Sequence, residues 1–380
     1  MVRAMARVAD LIAALKSIAP LEYAEPWDNV GLLIGSERWP ADDVLLTIDL
    51  TERVLHEAIA GQTQMIVAYH PPIFPQAGPI SALTDATAKT RIVLEAAHAG
   101  IAVYSPHTAL DAAPGGVNDW IAEGLGTGDV RALVSHEHLP FTEQCKIVTF
   151  CPPDAVDRLR QGLAAVGAGR IGEYQQCSFE IAGTGTFFGS ETSNPSVGRK
   201  GELERVGEVR LEMVCPREAL GLAVLTLREF HPYEEPPIEI YELLARPQRS
   251  VGPGRRVTLD RKVTISTIIE RVKKQLGVKR VQVAEAAASP EKYETIGLCA
   301  GAGGALLDEA VRQGCELFVT GEMRHHDVIA AQQRDCAVIL AGHTNTERGY
   351  LPRLRKRLRE LLPKIECTIS QRDADPLRSA

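Results

Sequence analysis

The sequence predicts a mixed α/β (α+β) protein: a tandemly duplicated α/β unit forming a two-lobed core, interrupted by a ferredoxin-like β-α-β-β-α-β insert. Three observations carry this. "LLTIDLTERVLHEAIAGQTQMIVAYH" (45–70) aligns without a gap on "GLCAGAGGALLDEAVRQGCELFVTGE" (297–322), placing His70 opposite Glu322. "RIVLEAAHAGIAVYSPHTALD" (91–111) aligns with "DVIAAQQRDCAVILAGHTNTE" (327–347), and both end in His-Thr-x-x-acid. Between about 140 and 250 the texture matches neither half. Internal repeats of this kind outrank local propensity in deciding an architecture.

The first half, 1–136, opens on an amphipathic helix with Val8, Leu11, Ile12 and Leu15 at helical spacing. Arg7, Asp10 and Lys16 interrupt its apolar character, so it is a core helix and not a signal peptide. Each copy of the repeat then gives an apolar strand, a turn, a helix with Leu-x-Glu-Ala or Leu-Asp-Glu-Ala, a glycine-containing turn and a second apolar strand. In the insert, 140–250, "KIVTFCPP" reads as a strand and "DAVDRLRQGLAAVG" (154–167) as a helix, capped by Asp154 and buried along Val156, Leu159, Leu163 and Val166. "FEIAGTGTFFG" and "EVRLEMVCP" are strands, "REALGLAVLTLREF" a helix and "PIEIYELL" the last strand. "ETSNPSVGRKGELERVG" (191–207) reads as a mobile loop and "RPQRSVGPGRR" (246–256) as the exit linker. The second half is 256–372, with a tail at 373–380.

The 380 residues imply two or three domains. With 45% hydrophobic and 24% charged residues, the composition is that of a soluble globular protein. A net charge of −7 argues against a nucleic-acid or anionic-membrane partner. No apolar run approaches the roughly 18 residues that span a bilayer. The eight cysteines have no CxxC spacing and several sit in apolar runs, which fits buried thiols in a reducing, cytoplasmic setting.

Chemistry concentrates at strand ends. In "VAYHPPIF" (67–74) an apolar run stops at Tyr69-His70, and two prolines prevent further pairing. His70, His107, Asp111, Glu322, His343 and Glu347 occupy such positions, and imidazoles with carboxylates from separate strand ends suit Zn, Mn, Fe or Co. A lone His-x-x-x-Glu more often marks a solvated helix face; its recurrence after an apolar strand in both halves favours ligation, while His70 alone also reads as a hydrogen-bonded strand-end histidine. The turn "GAGG" (301–304) could offer N–H groups to a phosphate or be a tight turn alone; it lacks the Walker and GxGxxG patterns.

"EPWDNVGLLIG" (25–35), "LLTIDLTERVLHEAI" (45–59), "AYHPPIF" (68–74), "YSPHTALDAAPGGVND" (104–119), "FVTGEMRHHD" (318–327) and "ILAGHTNTE" (339–347) resemble the GTP cyclohydrolase I type 2 homologue family, which includes the Ngg-interacting-factor-like proteins. The insert resembles the PII/CutA-like domain of longer members through "GAGRIGEYQQCSF", "GTGTF", "SNPSVG" and "HPYEEPPIEIY". The resemblance implies a metal-binding core with a dinuclear centre of one or two divalent ions per chain, and a ring-shaped homohexamer. The ligands it implies are His70, Asp111, His343 and Glu347, with Glu347 bridging. His107, Glu322 and His326 are then the candidates for supporting or proton-transfer roles. One position departs from the family: Tyr69 stands where a first of two histidines is usual. A phenol ligates Zn²⁺ poorly near neutral pH, so Tyr69 either binds Fe³⁺ or turns into the core. The implied activity is hydrolysis of a nucleotide-like substrate by a metal-activated water, with GTP ring opening as the named case and phosphoester hydrolysis as the enzymatic alternative. A non-enzymatic metal-containing hexameric scaffold that binds a partner or small regulator is the competing class.

Overall fold

A computed structural model describes residues 6–74 and 83–377. The last three residues of the expected tail, 378–380, lie outside the described residues. Two compact units are present, 1–136 with 248–380, and 137–247.

In chain order the strands are β1 Gly31–Ile34, β2 Asp43–Thr47, β3 Met65–Ala68, β4 Ala102–Ser105 and β5 Gly128–Ala132; then β6 Glu137–His138, β7 Cys145–Cys151, β8 Phe179–Phe188, β9 Leu203–Cys215, β10 Ile238–Glu242 and β11 Arg246–Pro247; then β12 Arg255–Val263, β13 Gln282–Ala284, β14 Tyr293–Ala302, β15 Leu317–Glu322, β16 Ala337–Leu340 and β17 Glu366–Ile369. The first unit holds two sheets, ordered β1-β4-β3-β2-β17 and β13-β16-β15-β14-β12-β5. In one, β2, β3 and β4 run parallel with β1 antiparallel at the edge; in the other, β14, β15 and β16 run parallel with β13 antiparallel at the edge.

The terminal strands cross over. β5, from the first half of the chain, pairs with β12, and β17, from the second half, pairs with β2. The two halves therefore do not each keep a sheet to themselves: they exchange strands and interlock. Such short strands carry too little pattern of their own to name a partner, and tertiary pairing chooses it.

Strand periodicity builds the layers. Met65, Val67 and Tyr69 face one core while Ile66 and Ala68 face another. Leu317, Val319, Ala337 and Ile339 join the first of these, together with residues of the helices Val8–Ile18, Val117–Leu125, Ile265–Leu276 and Leu351–Leu361. These four amphipathic helices therefore share one apolar core with both sheets. Helices Glu52–Ala60 and Ala88–His98 cover the outer face of the first sheet, and Leu307–Arg312 and His325–Gln332 that of the second. Parallel strands linked by helices put their carboxyl ends on one side, where open α/β sheets hold their sites.

The second unit has its own core, from Ile147, Leu159, Leu163, Leu211, Met213 and Leu227 among others. Its strands and helices follow in β-α-β-β-α-β order, with sheet order β10-β7-β9-β8. Asp154 is not the expected cap: a 3₁₀ turn, Pro153–Ala155, leads into the helix Val156–Ala165, because the two prolines at 152–153 set up a tighter entry. The stretch expected as loop to 207 ends sooner, since β9 begins at Leu203. Cys145, Cys151, Cys215, Cys315, Cys336 and Cys367 are buried, and every cysteine is free. The expected tail starts with a docked residue, as the Asp373 carboxylate accepts from Ile48 N–H at 2.7 Å and pairs with Arg348 at 2.5 Å. Among the described residues no helix is long and apolar enough to cross a membrane.

Candidate metal centre

Three side chains from three places in the first unit converge. His70 follows β3, His343 follows β16, and Glu347 lies in the short helix Asn345–Arg348. One ligand atom of each lies within 4.8 Å of the others. Glu347 is the hub: its Oε1 is 3.3 Å from His343 Nε2, and its Oε2 is 3.5 Å from His70 Nε2.

The outer nitrogens of both rings are anchored. His70 Nδ1 is 2.9 Å from Asp49 Oδ1, and His343 Nδ1 is 2.9 Å from Glu322 Oε1. A carboxylate on Nδ1 fixes the tautomer with its lone pair on Nε2, which is how proteins orient metal-binding imidazoles. Asp49 and Glu322 come from the ends of their sheets, so the orientation is built into the backbone.

The electrostatics describe a site that attracts a cation. Burial alone would lower the pKa of His70, but Asp49 and Glu347 override it and raise it to about 10. Contact with Glu347, then Glu322, raises His343 to about 9 against the opposing pull of burial. Burial pushes Glu347 upward, yet the two imidazoles hold it below the ordinary carboxylate value. Asp49 is likewise held down by His70 despite burial. Without an ion, protons on the imidazoles do the work of a positive charge.

The residues present fit a divalent metal. Glu347 is 3% exposed, and its Oε2 is buried without a hydrogen-bond partner among the described residues. A buried carboxylate oxygen needs a positive partner; the His70 imidazole at 3.5 Å supplies one when protonated, and a bound cation would take over that role. Gly301, at φ +60°, keeps the space clear: a Cβ there would stand 2.8 Å from Glu347 Oε1 and 3.1 Å from His343 Nε2. Two imidazoles and a carboxylate are a borderline-hard donor set suited to Zn, Mn, Fe or Co.

The model of the Duf34/NIF3 (NGG1p interacting factor 3) family matches residues 6–376. The chain belongs to this family. It is 36% identical over 377 residues to the rat protein named NIF3-like protein 1, covering 97% of this chain and 91% of that one. It is 33% identical over 364 residues to a Halalkalibacterium halodurans protein named GTP cyclohydrolase 1 type 2 homolog, covering 94% and 95%. Among solved structures, a Bacillus cereus protein related to NIF3 superposes with a TM-score of 0.68 at 30% identity over the full length of both chains.

The other expected residues of this Duf34/NIF3 chain take separate places. Asp111 lines the same cavity but stands outside the three-residue group; its Oδ1 accepts the hydroxyl of Tyr69. Burial raises Asp111 to about 7, moderated by that hydrogen bond. Tyr69, 3% exposed, continues the inward face of β3, and burial with the charge of Asp111 pushes its phenol well above its ordinary value. His107 lines the cavity with φ of +28°, a conformation costing on the order of 1–3 kcal/mol for a non-glycine residue. Asp28 holds it there, 2.8 Å from Nδ1. Glu322 acts on His343 and does not line the cavity. His326 is exposed on the helix His325–Gln332 beside His325 and does not line the cavity either. In the GAGG turn two N–H groups are already used: Gly301 donates to Thr346 Oγ1 at 2.8 Å and Gly303 to the Glu322 carbonyl at 3.3 Å.

Several supports went unread in the sequence. Asn118 is fully buried, donating to the Asp111 carbonyl and accepting from Ala300 N–H, which ties the first half's ligand helix to β14. Arg255, also fully buried, pairs with Asp119 and donates to the carbonyls of Ala112 and Ala113. Asp49 stands two residues past β2, inside the repeated segment 45–70, whereas Asn118 and Arg255 have no sequence pattern to mark them.

Proposed function

We propose that this Duf34/NIF3 chain is a divalent-metal-dependent hydrolase acting on a nucleotide-like molecule. The observation that carries the reading is the convergence of buried Glu347 with two imidazoles whose outer nitrogens are anchored, at the wall of an open cavity of about 560 Å³. His70, His343 and Glu347 would hold the ion. A bound divalent ion supplies Lewis acidity and makes water a competent nucleophile near neutral pH.

The chain's own residues do the rest. Asp49 and Glu322 keep both Nε2 atoms turned inward. His107, which lines the cavity and is braced by Asp28 on one nitrogen, would take or give a proton there. Glu322, tied to His343, would act as a positioning residue. The name of the Halalkalibacterium relative supports a purine-like substrate and ring-opening hydrolysis. The family resemblance supports assembly as a homohexamer.

The test is elemental analysis of the purified chain followed by a turnover screen of nucleotides, nucleosides and bases on Zn-, Mn-, Fe- and Co-replete protein. Metal-dependent consumption that disappears in Glu347→Gln supports the proposal. A metal-replete chain that binds but converts none of them overturns it in favour of a non-enzymatic metal-containing scaffold.

A further inference from the structure

The cavity beside the candidate centre has an aromatic side as well as a metal-binding one. Trp27 is 45% exposed and belongs to none of the hydrophobic cores. It meets Phe74 at 5.9 Å and His107 at 6.1 Å between ring centroids, and Phe74 meets His107 at 6.1 Å; all three contacts are edge-to-face. These are favourable contacts that hold the three rings together, and they leave nearly half of the Trp27 side chain open to the cavity and solvent. An exposed tryptophan at a cavity wall can serve as a stacking platform for a planar ligand.

The platform is fixed in place. Asp28, next to Trp27, accepts from His107 Nδ1 and from the N–H and hydroxyl of Thr108. Glu25 N–H donates to Thr108 Oγ1 at 3.0 Å, and Asn29 Nδ2 donates to the Ile73 carbonyl beside Phe74. These bonds join the loop 24–30 to the segments carrying the other two rings.

Charge then limits what the rings hold. Among the described residues that line the cavity none is lysine or arginine, whereas Glu25, Asp111 and Glu347 all line it. Asp28, Asp49 and Glu322 stand directly behind its histidines. One divalent ion leaves this set of carboxylates in excess. Polyphosphate sites neutralise their ligand with Arg, Lys, a cradle of free N–H groups or several divalent ions; here one ion would face the carboxylates alone, and the GAGG turn has committed Gly301 and Gly303 N–H elsewhere. Carboxylates along an aromatic wall suit instead the N–H and NH₂ edge of a planar heterocycle.

Resting on the hydrolase reading, we propose that the site takes a phosphate-free nitrogen heterocycle, a base or nucleoside stacked on Trp27, in preference to a nucleoside polyphosphate. The test is calorimetric titration of the metal-replete full chain with guanosine, adenosine and their 5′-triphosphates, in wild type, Trp27→Ala and Trp27→Phe. The nucleoside is expected to bind at least about tenfold more tightly than its triphosphate, a difference of about 1.4 kcal/mol. Trp27→Ala is expected to weaken nucleoside binding about 5- to 150-fold, the alanine cost of one stacked base. Trp27→Phe should restore most of that loss. Because Trp27 lies outside the cores, neither variant should unfold the chain. Triphosphates binding as tightly as nucleosides, an unchanged Trp27→Ala, or no binding of any probe would each overturn the inference. Trp27-dependent nucleoside binding without turnover would sink the hydrolase reading alone and leave this one standing.

Discussion

Replacing Tyr69 decides how many ions the centre holds. The phenol is buried and donates to Asp111 Oδ1, and Asp111 stands outside the group formed by His70, His343 and Glu347. Tyr69→Phe deletes the donor and leaves a buried carboxylate short of a partner. A hydrogen bond to a charged group contributes about 1.5–3 kcal/mol, and a domain of this size loses about 2–4 °C of Tm per kcal/mol. The metal-free variant should therefore melt roughly 3–12 °C below wild type. Tyr69→His should act differently, placing an imidazole beside Asp111 and creating a second position. Inductively coupled plasma mass spectrometry after dialysis against a weak chelator reads the outcome. We expect about one tightly held ion per wild-type chain, a better-filled second position in Tyr69→His, and severe loss in His70→Ala, consistent with how few ligands each position has. Two equally tight ions in wild type, falling to one in Tyr69→Phe, would show the phenol to be a ligand and refute the reasoning.

Asp49→Asn and Glu322→Gln should each weaken metal binding about 10- to 100-fold, measured by competition with a chromophoric chelator; unchanged affinity would mean the Nδ1 anchors do not orient the rings. Joining residue 136 to 248 and deleting 137–247 should leave a folded, metal-binding chain, since the His136 carbonyl already accepts Gln248 N–H at 2.8 Å; a folded product that holds no metal would contradict the domain reading. In the second unit, burial lowers the pKa of His231, with hydrogen bonds to the Phe150 carbonyl and from Tyr233 N–H around the ring. A depressed histidine is neutral in the fold, so the unfolded chain takes up the proton first and stability should fall as pH drops below about 6.5. Acid melts of the isolated second unit should show this slope and His231→Gln should flatten it; a slope that persists in the variant places the titration elsewhere. Sedimentation of the full chain should give a hexamer, and a monomer at micromolar concentration would end that expectation.

What the sequence disclosed and what it withheld separate along one physical line. The repeat at 45–70 and 297–322 was legible because strand and helix periods are written in apolar residues, and those also fix which strand ends carry His70 and His343; Glu347 sits one step further, in the short helix Asn345–Arg348. The residues that make these ends work as a site are single polar side chains chosen by partners far along the chain. Asp28 meets His107 across 79 positions, and Asn118 meets Ala300 across 182. No local pattern announces such a pair, since either residue alone reads as an ordinary turn or helix-surface group. The exchange of β5 and β17 was hidden for the same reason: a strand of four or five residues fits either sheet until the pairing is formed. Tyr69 lies on the boundary between these cases. Its alternation with His70 was readable and sent it inward, but its capture of Asp111 was not, and that contact turns a substituted residue into a determinant of the site. Where a ligand-type residue is replaced in a duplicated centre, the replacement is best judged by which remaining ligand it engages, because that decides whether the position is merely weakened or closed.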